Sequence, residues 1–438
     1  MLYILAGMML ATFHGDEAMQ IYMSRDYATV FIEGNPASLM VNPPYQIDDD
    51  PWLRILNGSV NRYAIGLSWQ VAGLNTGMLP PRPGWDWGLD YDTNVTTGHR
   101  PPEAMLASGR IASTLFLALS AVAIFAIGWQ FGGRLPAYVM SGLYTLNPII
   151  LLNGRRAMME GSLLAFGLLT IWLAILISRG RTRWHGWLLL ALAAGLAVAS
   201  KHTGVLFVAG ALGWIGITEM VNYLTRGEQK TTGRYVVVTF AKLIVTGAGA
   251  LALFIVMSPA LWNDPVARLD DLIGQRQFLL DIQVASTLNA PTTLIQRVEG
   301  IVTQPFMTAP VHYEVDFWAN ASAITAEIER YRASPLSGIP FGPVVGLALT
   351  LLAGVGLVMV LRRRAWWGML VWVAVTVASL LANPLPWQRY YLPLLPVATI
   401  LAGIGVVAAW GIVQKRLQPQ SPLVSSQNVP HTKKSDEI

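Results

Sequence analysis

The side chains able to do chemistry gather in short polar runs, each at the end of an apolar stretch. His14-Gly15-Asp16-Glu17 follows the first stretch, 1–13. Arg155-Arg156, with Glu160 four residues after Arg156, separates two later ones, and Ser200-Lys201-His202 separates the next pair. Trp262-Asn263-Asp264-Pro265 closes another, and the run from Asn383 through Gln388-Arg389-Tyr390-Tyr391 joins the last two. A carboxylate so placed can take a proton from an attacking hydroxyl. Arginine and lysine on the same level can hold an anion such as a phosphate. Each run also has a plainer reading. Asp16-Glu17 reads equally as a solvated loop, and Arg156 with Glu160 as a helix-end pair contributing about 0.2–0.5 kcal/mol. An arginine at a helix N-terminus opposes the helix dipole and calls for an anion, which Glu160 supplies. Lys201-His202 reads as an interface anchor and Arg389-Tyr390-Tyr391 as an aromatic belt. Their common placement favours a site.

The elements that must position these runs are membrane helices. Hydrophobic residues make up 53% of the 438 residues and charged residues 13%, with a mean hydropathy of +0.46. Roughly 25% charged residues coat a soluble domain, so a soluble enzyme is excluded. The net charge of +5 falls in clusters between apolar runs, the pattern of membrane loops rather than of a nucleic-acid binder. Apolar runs near 110–132, 136–153, 160–178, 186–200, 203–224, 235–261, 341–361, 365–382 and 390–413 approach or exceed the roughly 17–25 residues of a span. A tenth, 1–13, reads as the outer half of a first helix whose start lies upstream. The expectation is an all-α, polytopic protein of about ten transmembrane helices.

Fourteen of the thirty lysines and arginines lie in the loops after alternate spans and in the tail, with four of the twenty-five carboxylates. By the positive-inside rule that side is cytoplasmic, with both termini. Segments 14–109 and 262–340 then lie outside, a transmembrane domain covers 1–413, and 414–438 forms a polar, disordered tail. In the first outer segment, Met19, Met23, Tyr27, Val30 and Phe31, then Leu53, Leu56, Val60, Ala64, Leu67, Val71 and Leu74, keep helical spacing. They suit amphipathic juxtamembrane helices or helices packed in a small outer domain. Sequons occur at Asn57, Asn94 and Asn320.

Other chemistries find less support. Cysteine is absent, which excludes a thiol nucleophile and thiolate metal sites. Asp90-Tyr91-Asp92 and Asp48-Asp49-Asp50 match a metal–nucleotide-sugar motif without the strand–helix alternation it needs. Asp90, Asp92 and Asn94 open like a calcium loop but lack its later Gly and Glu. Deep charges, the usual mark of a transport path, are nearly missing from the spans, since Lys242 and Glu219 lie near span ends.

The chain resembles the GT-C membrane glycosyltransferases, in the group of the dolichyl-phosphate-mannose–protein mannosyltransferases and the lipid A aminoarabinose transferase. The resemblance rests on Asp16-Glu17 after the first helix, Ser108-Gly109-Arg110 opening the second, Gly154-Arg155-Arg156-Ala157-Met158-Met159-Glu160, and Arg389-Tyr390-Tyr391-Leu392-Pro393. It covers about 1–413. The resemblance implies an inverting transferase that moves a hexose or pentose from a polyprenyl phosphate to an extracytoplasmic glycan, lipid or protein hydroxyl, in a plasma or inner membrane. It implies Asp16 as base, Glu17 as its orienting partner, and Arg155, Arg156, Lys201, His202, Arg389 and Tyr390 as donor-phosphate ligands, supported by Glu160 and Tyr391. Glu160 stands where the family more commonly has Asp. No cofactor is implied beyond the lipid-linked donor. A divalent cation near His14, Asp16 and Glu17 is compatible with the residues, though they do not establish a metal site. The alternatives are a protein O-mannosyltransferase specifically, or a lipid-linked sugar flippase or transporter, whose polar path across the bilayer the spans do not display.

Overall fold

The computed structural model describes residues 1–225, 232–287, 290–291, 293–314 and 321–417. The tail beyond Leu417, the basic residues Arg226 and Lys230 and the sequon at Asn320 lie outside the described residues. Among those described, every regular element is a helix.

Among the described residues six helices are long and apolar enough to cross a membrane: Glu103–Gln130, Glu160–Ser178, His202–Thr225, Val236–Met257, Gly342–Arg362 and Leu394–Gln414. A seventh span is a pair, Arg134–Thr145 and Pro148–Arg155, bent by 62°. Trp184–Ser200 and Gly368–Ala382 are apolar but shorter. The expected ten spans are thus six or seven by length. The segment 1–13 forms only a five-residue helix, Leu2–Ala6, and a turn, Met8–Leu10.

The chain is an integral membrane protein, and its burial pattern fits that solvent. Val236–Met257 turns Val237, Phe240, Ile244 and Val245 outward, and Gly342–Arg362 does the same with Val344, Leu347, Leu351, Val355 and Val358. Exposed apolar surface of this extent suits hydrocarbon rather than water. Polar backbone is satisfied inside each helix, as a bilayer requires. Glu103–Gln130 is the central post and packs against Glu160–Ser178, Arg134–Thr145 and Ser59–Val71. The bend at Asn147-Pro148 has a local cause. Proline takes the first helical position, and the Asn147 carboxamide oxygen accepts from the Ile149 and Ile150 N–H groups at 3.0 and 3.3 Å.

Successive helices reverse direction, so alternate connections meet at one end. Asp16, the turn 155–160, Lys201 and the turn Gln388–Tyr391 share that end. At the other, Arg179 and Arg181 bond Gln130 at 2.6 and 2.8 Å.

The segment 14–109 is mostly packed rather than laid flat. Asn57-Gly58 breaks its second periodic stretch into Asp50–Leu56 and Ser59–Val71. Leu53, Leu56 and Val60 are buried, while Phe31, Leu67 and Val71 keep an apolar outer face. The side chain of Asn94 is fully buried and bonds the main chain of Asp86, so this sequon is closed off. Asp90 caps the helix Tyr91–Thr96 through the Thr93 N–H at 2.7 Å, a local use for that acidic pair.

Gly342–Arg362 and the last helix, Leu394–Leu417, cross closely at two glycines. A Cβ on Gly356 would strike the Leu401 carbonyl, and one on Gly405 the Leu352 carbonyl. Small residues allow such approach in membranes. Gly356→Leu is expected to destabilise by about 1–3 kcal/mol through overpacking, seen as a lowered unfolding midpoint in lipid. An unchanged midpoint would contradict the close crossing.

Candidate active site

The site grows from one short stretch, residues 12–17. His14 caps the helix Gly15–Met23 in a reciprocal arrangement. Its Nδ1 accepts the Asp16 N–H at 3.1 Å, while the Glu17 carboxylate accepts the His14 N–H at 3.0 Å. Both bonds satisfy donors that a helix start leaves open.

Glu17 is completely enclosed. Arg110, projecting from Glu103–Gln130, meets it through two parallel bonds of 2.8 Å, and the Ala157 N–H adds a third of 2.8 Å. Burial opposes the charge of Glu17, but Arg110 outweighs it and holds the carboxyl below its ordinary range. The geometry makes Glu17 the residue that fixes the Asp16 turn against the helix bundle; it offers no oxygen to an acceptor.

Asp16 faces the opening instead, with its side chain 23% exposed. It pairs with Arg389 from the Gln388–Tyr391 turn. The same guanidinium reaches Glu314 through Nε at 3.4 Å, and Glu314 accepts the His14 Nε2–H at 3.0 Å. The bond at Nδ1 assigns that tautomer. Burial raises the Asp16 pKa, yet Arg389 brings it below the usual aspartate value. Glu314 is likewise driven well below its usual value, against burial, by Arg389 and the His14 bond. For Arg389, burial works to lower the pKa and the two carboxylates raise it well above the ordinary value.

Beside this triangle stands a second pair. Lys201 donates to Glu160 at 2.7 Å and lies 5.8 Å from the centre of the Tyr390 ring. Glu160 begins the helix Glu160–Ser178, where a carboxylate suits the dipole. Its second oxygen is buried with no hydrogen-bond partner among the described residues. Tyr390 stacks on Trp387 and donates to Gln283 at 3.1 Å. Asp16, Arg389, Glu314, Lys201, Glu160 and Tyr390 therefore combine one solvent-reachable base, two cations and an aromatic wall.

Other residues expected here lie differently. Arg155 is buried with its guanidinium committed to the carbonyls of Ile4, Tyr3 and Leu336 at 2.9, 2.7 and 2.5 Å. Arg156 donates to the Thr12 carbonyl at 3.0 Å and the His312 carbonyl at 2.8 Å. Both tie the segments 1–13 and 262–340 to the bundle, so the phosphate role expected of them passes to Lys201 and Arg389 in the proposal below. His202 packs its ring edge-on to Phe254 at 5.9 Å, and Tyr391 is buried in the core with its hydroxyl against Gly300. Among the described residues no group of three histidines, aspartates or glutamates is arranged to hold a metal ion.

Sequence reasoning missed the partner segment of residues 12–14. Thr12 bonds His312 at 3.0 Å, the Tyr313 hydroxyl donates to the Phe13 carbonyl, and His14 bonds Glu314. Glu327 accepts the Phe13 N–H at 3.0 Å and pairs with Arg100 at 2.9 Å. The only signal was the run His312-Tyr313-Glu314 within an otherwise plain outer segment.

These features define a helical membrane protein with a cluster of paired carboxylates and cations at the end of its bundle. Residues 85–260 match the family of dolichyl-phosphate-mannose-protein mannosyltransferases, and the chain resembles that GT-C group. Arg110, Arg155, Arg156, Glu160 and Lys201 fall within the matched stretch; Asp16 and Arg389 fall outside it. No curated protein matches the chain. Solved structures similar to it include ArnT from Cupriavidus metallidurans bound to undecaprenyl phosphate, at 12% identity and a TM-score of 0.49, covering 94% of this chain and 60% of that one. The apo oligosaccharyltransferase of Archaeoglobus fulgidus has 11% identity and a TM-score of 0.40, covering 91% and 51%. The archaeal oligosaccharyltransferase AglB from the same organism, with an inhibitory peptide and a dolichol-phosphate, has 10% and 0.40, covering 91% and 50%. The chain thus spans 50–60% of the length of these proteins.

Two outcomes follow from the buried Glu17–Arg110 pair. Glu17→Ala leaves Arg110 charged and unpaired, at a cost of about 3–5 kcal/mol, and should lower the unfolding midpoint strongly. Because Asp16, Glu17 and Glu314 all have depressed pKa values, their stabilisation is complete above the unfolded-state values near about 4 and is lost as pH falls through the folded values. The midpoint should stay level from neutral pH down to roughly pH 5 and fall below pH 4. A flat acid profile would contradict these pairings.

Proposed function

We propose that the chain is an inverting glycosyltransferase that moves a sugar from a polyprenyl phosphate to an acceptor hydroxyl on the extracytoplasmic side. The observation that carries this reading is the Asp16–Arg389 pair with Lys201–Glu160 and Tyr390 beside it. The match of residues 85–260 to a mannosyltransferase family supports it. The acceptor is a glycan, lipid or protein hydroxyl, and the catalytic unit is 1–413. The basic connections at the far end put that end in the cytoplasm, by the positive-inside rule.

The chemistry follows from charge. The acceptor oxygen attacks C1 of the sugar while Asp16 takes its proton. The C1–O bond to phosphate breaks, and the electron pair leaves on the phosphate oxygen. Arg389 and Lys201 stabilise that growing negative charge, with Arg389 offering planar donors to phosphate oxygens. Attack opposite the leaving group inverts C1. A donor dissolved in the bilayer reaches the bundle end laterally, so a nucleotide pocket is not needed.

The test follows release of polyprenyl phosphate by the protein in lipid, with a panel of polyprenyl-phosphate sugars and an acceptor extract. Asp16→Asn is expected to lose turnover by about 10²–10⁴-fold with donor binding kept. Turnover retained in this variant would remove Asp16 as the base. Arg389→Ala and Lys201→Ala should each reduce kcat/KM by about 10²–10³-fold; unaffected kinetics in both would place the phosphate elsewhere.

A further inference from the structure

Arg389 carries one positive charge and is held by two carboxylates. Asp16 takes it at Nη1 and Glu314 at Nε. The two carboxylates are not equivalent. Glu314 has only 7% of its side chain exposed and is anchored by His14 at 3.0 Å, whereas Asp16 has 23% exposed and faces the opening. Glu314 therefore stays when an anion enters, and Asp16 is the partner that an anion displaces. We propose that Glu314 is a positioning residue that shares the Arg389 guanidinium with Asp16, so that an incoming phosphate draws Arg389 off Asp16 while Glu314 keeps it in place. This rests on the glycosyltransferase reading above.

The consequence is a coupling between binding and base strength. A carboxylate clamped by an arginine is a poor base, because the neighbouring cation favours its ionised form. Sharing weakens that clamp: Glu314 supplies a second negative charge beside Asp16 and engages Nε of its arginine. Once phosphate oxygens take the Nη donors, Asp16 is freed to accept the proton from the acceptor hydroxyl. The groups facing this centre are consistent with the arrangement. Arg389 and His14 face Asp16 beside Glu314; Arg156 faces Glu314 from the 155–160 turn; Glu160 and Tyr390 face Arg389. None of the others holds Arg389 at Nε.

Glu314→Gln keeps an oxygen for Arg389 Nε and removes the charge. Asp16 then holds Arg389 alone. In the polyprenyl-phosphate-sugar assay, the acid limb of kcat/KM against pH, which reports the free enzyme, should move to lower pH, and kcat/KM at its plateau should fall by about three- to tenfold, because the strength of a general base follows its pKa. Glu314→Asp, which restores the charge, should return the acid limb toward its wild-type position. Glu327→Gln, which loosens the same outer segment, should lower the unfolding midpoint without moving the acid limb. An acid limb that is unmoved or moves upward in Glu314→Gln would overturn the proposal. If the wild-type protein turns over no donor, the glycosyltransferase reading fails separately. The proposal is then read from esterification of Asp16 by a diazo reagent that attacks protonated carboxyls, followed by peptide mass spectrometry. Half-protection of Asp16 at lower pH in Glu314→Gln than in wild type supports sharing, and an identical pH overturns it.

Discussion

The arrangement depends on one buried ion pair. Glu17 and Arg110 meet through two parallel bonds, both residues being buried. Removing a carboxylate and a guanidinium from water is costly unless every lone pair and proton finds a partner. Here Glu17 also takes the N–H groups of Ala157 and His14, so its oxygens are satisfied. That set of bonds joins the helix Glu103–Gln130, the turn after Arg155 and the start of the helix Gly15–Met23. Asp16 is the residue just before it, and its direction is set by a neighbour held through four hydrogen bonds. A flexible loop would hold a base poorly; a helix start pinned to a central post holds it well.

Around that point the molecule separates mechanical from chemical charges. Arg155 and Arg156 bind backbone carbonyls of residues 4 and 12, in the segment 1–13, and of residues 312 and 336. They tie together parts of the chain that are distant in sequence. Arg389, Lys201 and Asp16 stay partly exposed at the opening, with Glu314 buried behind them. The division matters in a membrane protein, where apolar contact between helices supplies little drive for association and polar ties carry more of it.

Much of this was legible from residues 16, 160, 201 and 389, because each sits where an apolar run ends and the runs alternate in direction. Reversing helices bring alternate ends together, so spacing along the chain translated into proximity. The segment 1–13 was less legible: its hydropathy suits half a span, while the chain folds it into a five-residue helix and a turn that Arg155 grips by its carbonyls. The roles of Arg155 and Arg156 were hidden for the same reason, since their partners are main-chain oxygens that no residue type announces. Glu314 was invisible because its partner lies three hundred residues away, His14 against Glu314 and Phe13 against Tyr313. Helical periodicity does not report contacts between two loops.

The central claim is that the Asp16–Arg389 pair opens to receive a lipid-linked phosphate. A cryo-EM structure of the protein in a lipid nanodisc with polyprenyl phosphate tests it most directly. The account predicts phosphate density within hydrogen-bonding distance of Arg389 and Lys201, with Arg389 withdrawn from Asp16 and still on Glu314. Phosphate bound at another place, with the Asp16–Arg389 pair intact, would contradict it.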